Sequence, residues 1–135
     1  MQTRNELVAI DPLTDSVVIR VPVPGIKHPH GFLVDPDGQL IYVTGEENGR
    51  IAVLDLRSTQ IVHISPVGGH PDVLAMDTAR RHLFVAAESG VISAFDVRGD
   101  SLVALPSYHG PRAHSVAVDP TTRKYTLLPE RGCVV

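Results

Sequence analysis

The chain has 135 residues, 43% of them hydrophobic, a net charge of −3 and a single cysteine. That length fits one modest domain, and the apolar content is too high for a disordered tail. Charges are scattered rather than massed into a basic stripe, which argues against a nucleic-acid partner, and one cysteine, Cys133, cannot form an internal disulfide. No apolar run reaches the roughly 18 residues of a membrane-spanning helix. The start "MQTRNELVAID" has no apolar signal core.

In chain order, the first runs are "LVAID", ending at Asp11, and a second β-rich run reaching about residue 23. "HPHGFLVDPDG" follows from His28, then "LIYV" from Leu40, "IAVLD" ending at Asp55, and "QIVHIS" from Gln60. Each run is short, rich in β-branched or aromatic residues and bounded by turn residues, so each predicts a strand. In "DPDG" the proline presets φ and the glycine tolerates positive φ, which predicts a tight turn. The pattern then begins again. Asp35, Asp77 and Asp119 are separated by two equal steps of 42, and Glu46, Glu88 and Glu130 keep the same phase. "LIYV" returns as "HLFV" and "KYTL", and "IAVLD" returns as "ISAFD" ending at Asp96.

Four short strands in a period of about 42 residues predict an all-β chain of four-stranded antiparallel β-propeller blades. With strands named a to d from the central channel outward, the chain reads as one segment. A c–d half blade (6–23) precedes blades over 31–66 and 73–105, and an a–b half blade (115–135) closes the sequence. Among the expected packed positions are Val34, Ile41, Val43, Val53, Leu74, Ala75, Leu83, Val85, Ala94, Val116 and Val118. Three blades' worth falls short of the usual 4 to 8. The open edges predict self-association, such as a two-chain six-bladed ring, or completion by missing blades of a longer chain.

"LIYVTGEENGRIAVLDLRSTQIVHISPVGGHPD" resembles the YVTN β-propeller repeat, and "HGFLVDP", "ESGVISAFDV" and "AHSVAVDPTTRKYTLLPE" resemble the bacterial YncE-like proteins. The resemblance spans almost all of residues 6–131. It implies a C-terminal portion of such a propeller and a periplasmic or secreted setting. The chain reads "YTLLPE" where the family pattern is closer to "YFPLE".

Strand order places the d–a and b–c connections on one face. His28, His30, His70, Asp72, Arg112 and His114 therefore share a channel mouth with Glu46, Glu88 and Glu130. Imidazoles and carboxylates around a mouth could take a polar small molecule, a protein, or a divalent metal, so a metal is left open although no cofactor is required. Equally, a residue repeated once per blade could serve each blade's own turn. Asp11, Asp55 and Asp96 are expected to cap c–d turns through their side chains. Two functions follow: a non-enzymatic binding or scaffold module, or a metal-dependent lactonase-type hydrolase. Strand a is apolar until its far end, which favours the first.

Overall fold

The computed structural model describes residues 2–110 and 113–129; for Gln2, Ala113, His114, Leu128 and Pro129 only the backbone is described. Among these residues there is no α-helix, only a 3-10 turn at Gln2–Arg4 and twelve strands. β1 (Glu6–Asp11) and β2 (Ser16–Pro22) form a two-stranded sheet. β3 (Pro29–Asp35), β4 (Leu40–Gly45), β5 (Arg50–Asp55) and β6 (Ile61–Pro66) form a four-stranded antiparallel sheet in sequential order. β7 (Pro71–Asp77), β8 (His82–Ala87), β9 (Val91–Arg98) and β10 (Ser101–His109) form a second, and β11 (Ala113–Val118) pairs with β12 (Tyr125–Pro129). These are β-propeller blades with a half blade on either side.

The turns repeat with the strands. Gln39, Arg81 and Arg123, each 42 apart, are all left-handed, with φ of 55°, 58° and 57°. Beside them the repeated aspartates hold the a–b turns: Asp35 accepts the Gly38 N–H, Asp77 those of Ala79 and Arg80, and Asp119 those of Thr121 and Thr122. An aspartate folded back on its own turn satisfies N–H groups that the ladder leaves free. Asp11 and Asp55 do the same for c–d turns. Asp96 does not. β9 runs on to Arg98, which pairs with Ser101, so the reversal is made by Gly99 and Asp100. Asp96 is left inside the strand with its carboxylate on Arg98 Nε at 2.7 Å.

Three apolar clusters join the sheets. One joins the two blades and includes Leu40, Tyr42, Val53, Leu83, Val85 and Phe95. A second joins β1–β2 to the first blade through Val21, Val23, Ile26, Val43, Ala52 and Leu54. A third joins β11–β12 to the second blade around Phe84, Ile92 and Val116. Of the expected core positions Val34 departs: it is 46% exposed, because it faces the side of the first blade on which no a–b hairpin lies among the described residues. Gly31 lets the two inner strands, β3 and β7, approach closely. A Cβ there would collide with the Asp72 carbonyl and stand 2.7 Å from Leu74 Cδ1.

Candidate functional site

His28 and His70 precede the prolines that open β3 and β7, and both are left-handed, with φ of 56° and 53°. Histidine is one of the few non-glycine residues enriched at positive φ. The sharp turn aims each histidine carbonyl at the neighbouring connection, where it accepts the N–H of Glu46 (3.1 Å) or Glu88 (2.9 Å). Behind these, Lys27 and Gly69 carbonyls accept from Glu47 and Ser89. The feature common to both repeats is thus a backbone clasp between the d–a and b–c connections.

The side chains differ between the two repeats. In the first, His28 Nδ1 lies 2.6 Å from Glu46 Oε2 and His30 Nδ1 lies 3.7 Å from the same oxygen. His30 Nε2 reaches across to Asp72 Oδ1 of the second blade at 3.0 Å. Asn5 completes the corner by accepting the His28 N–H at 3.0 Å. The bond from His28 holds the Glu46 carboxyl below its usual range against a smaller opposing effect of burial, helped by the nearby His28, His30 and His70 rings. In the second repeat Glu88 is exposed, and its link to His70 is the backbone one.

Of the expected mouth residues, then, His28, His30, Glu46 and Asp72 form one side-chain network, with His70 near enough to act on Glu46 by charge. Glu88 stands outside it. Arg112 and Glu130 lie outside the described residues, and of His114 only the backbone is described. Among the described residues no group of three or more His, Cys, Asp or Glu is arranged to hold a metal ion.

Two features escape a reading by periodicity. Beside the network, on the same face, lies a cleft of about 670 Å³ lined by Arg4, Asn5, Lys27, Asn48 and Arg50 together with the Pro22–Ile26 backbone turn. No acid lines it, and none pairs with the three cations among the described residues. Asn48 shapes its floor, accepting the Lys27 N–H and donating to the Gly25 carbonyl. On the opposite face Arg81 reaches back to the preceding blade, its guanidinium 2.6 Å from Asp35 Oδ2. Burial works against ionising Asp35, but the Arg81 bond, the Gly38 N–H, the Arg81 charge and the Tyr42 hydroxyl together outweigh it, so its carboxyl sits below the usual range. The signal for this clasp was present: Arg81 and Arg123 share a phase, and Arg123 acts by charge on Asp77.

No family model matches the chain, and no curated protein matches it. Solved structures do. The chain is similar to Kuenenia stuttgartiensis hydrazine synthase, at 21% identity and a TM-score of 0.82, over 95% of this chain and 37% of that one. It is similar to the dihydro-heme d1 dehydrogenase NirN in complex with DHE, at 22% identity and a TM-score of 0.70, over 93% of this chain and 28% of that one. It is also similar to a chain of the mitotic checkpoint complex, at 12% identity and a TM-score of 0.77, over 93% of this chain and 40% of that one. At these identities the likeness is one of fold, and the chain spans two-fifths or less of each neighbour.

Proposed function

We propose that the chain is a YVTN-type, YncE-like propeller segment that works as a non-enzymatic binding module, and that its ligand is a small anionic molecule held in the cleft beside the mouth. The observation that carries this is the trio Arg4, Lys27 and Arg50, paired with no acid among the described residues, around a cleft of about 670 Å³, a size suited to a small molecule. Arginine suits the planar, two-oxygen ends of carboxylates and phosphates, and lysine adds a point charge. The neighbouring imidazoles and carboxylates engage one another at 2.6 and 3.0 Å, which suits a brace that fixes the cleft's rim better than a reacting centre.

Calorimetric titration with citrate and with inorganic phosphate tests the reading. Binding by the wild-type chain that falls at least tenfold in Lys27→Gln/Arg50→Gln, and weakens with added salt, is the expected result. Absence of binding, or binding indifferent to both substitutions, refutes it. Tight stoichiometric uptake of a divalent metal that Glu46→Gln abolishes would instead bring the hydrolase reading forward.

A further inference from the structure

Four exposed apolar side chains fall at positions where the next repeat is packed. Phe32 and Val34 are 65% and 46% exposed, yet their equivalents 42 residues on, Leu74 and Met76, pack against the cluster joining the two blades. Ile10 and Val17 are 60% and 48% exposed, while the residues in their places on the first blade, Leu54 and Ile61, are packed, Leu54 completely. The first pair overlooks a largely apolar cleft of about 700 Å³, walled by Leu7 and Ala9 on one side and by Phe32, Val34 and Ile41 on the other. Along that cleft runs the far edge of β1, which is bonded only to β2 among the described residues; β12 is likewise bonded only to β11. In the two complete blades the place beside strand c is filled by an a–b hairpin.

We propose that this cleft receives the β11–β12 hairpin of a second copy of the chain. Two half sheets then join into one four-stranded blade at each of two junctions, and the pair closes a six-bladed ring about a twofold axis.

The register of the complete blades fixes the contacts. Strand b meets strand c as Tyr42 opposite Val53 and Phe84 opposite Ala94, which sets Thr126 of one copy opposite Ala9 of the other. The pairs Leu40–Asp55 and His82–Asp96 likewise set Lys124 opposite Asp11, an attraction of unlike charges. Ile41–Leu54 and Leu83–Phe95 set Tyr125, 39% exposed, opposite the exposed Ile10. Ala117 takes the place held by Leu33 in the first blade, so the bulky Phe32 meets a small partner. Joining the edges pairs the free N–H and C=O groups of β1 and β12 and removes the surfaces that otherwise invite uncontrolled strand addition.

The test uses the 135-residue chain with Cys133→Ser, so that introduced thiols are the only ones. Directly opposed antiparallel residues have Cβ atoms about 4.5–5.5 Å apart, close enough for a disulfide after small adjustment. An Ala9→Cys chain mixed with a Thr126→Cys chain should crosslink under mild oxidation, and neither should crosslink efficiently alone. The chain carrying both should form a closed dimer of twice 14.6 kDa on a non-reducing gel and by light scattering. Phe32→Asp should yield a folded monomer, retaining a β circular dichroism spectrum, because Phe32 is exposed within a single chain. A monomer at every concentration, equal crosslinking by Ala9→Cys alone, an open ladder of oligomers, or a dimer that survives Phe32→Asp would each overturn the proposal.

Discussion

Removing Arg81 tests whether the clasp between blades is an energetic feature or an incidental surface pair. Arg81→Met keeps much of the stem and deletes the bond to Asp35, whose side chain is only 2% exposed. The carboxylate is left with the Gly38 N–H at 3.0 Å and a Tyr42 hydroxyl at 3.5 Å. Breaking a fully buried pair costs about 3–5 kcal/mol and an exposed pair contributes at most about 1 kcal/mol. Arg81 is 30% exposed and its charge is partly screened, so the expected loss lies between, at about 2 kcal/mol. For a chain of this size that lowers Tm by about 8 °C. Asp35→Asn retains an acceptor for Gly38 while removing the charge, so the double variant should be more stable than the two single losses summed, by about 1–2 kcal/mol. The pH dependence carries the same signature. Asp35 has a lowered carboxyl pKa in the folded state, so its contribution is present above the ordinary value of about 4 and is lost as pH falls through the lowered one. Arg81→Met should flatten that acid limb. Urea denaturation of the four variants at neutral and acid pH measures all of this. A cost for Arg81→Met below about 0.5 kcal/mol, or strict additivity, would refute the reasoning.

The other expectations are more direct. His70→Gly relieves a left-handed histidine without losing a side-chain bond, and should be neutral or stabilising by about 0.5–1 kcal/mol. His28→Gly also forfeits the Glu46 bond and should come out less stable than His70→Gly on the same denaturation assay. Gly31→Ala forces a methyl against the Asp72 carbonyl and Leu74, and should cost more than about 2 kcal/mol by the same measure. Burial, reinforced by the Asp35 charge, raises Tyr42 to about 12. An ultraviolet titration should therefore show one of the three tyrosines ionising near 12, a step absent from Tyr42→Phe, and the stability this tyrosine contributes below pH 10 should fade as pH climbs toward that value.

The repeat made the strands, their order and most of the packed positions legible, because a period of 42 with four punctuated apolar runs has few foldable solutions. What it hid has physical causes. Val34 reads as core because its equivalents are packed, but packing is a property of the neighbour, and no hairpin covers that side of the first blade among the described residues. Asp96 reads as a turn cap because Asp11 and Asp55 are, yet a strand longer by two residues moved the reversal to Gly99. The Asp35–Arg81 clasp spans 46 residues and joins the a–b turns of successive blades, so a search within one period passes over it. The left-handed backbone of His28 and His70 is signalled only by histidine's tolerance of positive φ, and the proline after each argues instead for an extended residue.

That last point bears on where the function lies. The histidine and glutamate kept in phase do the same backbone work in both described repeats, carbonyl to N–H, and such work is indifferent to imidazole or carboxylate chemistry. The side chains themselves differ between the two repeats: Glu46 is engaged by His28, whereas Glu88 is exposed. The cationic cleft has the opposite character. Lys27 has Gly69 in its place one repeat on, and Asn48 has Gly90. Arg50, which opens β5, has Val91 at the start of β9. The three residues are thus gathered in one repeat only, Asn48 bonding the turn and Lys27 and Arg50 lining the cleft. These residues, which break the period, are the ones we propose to hold the ligand.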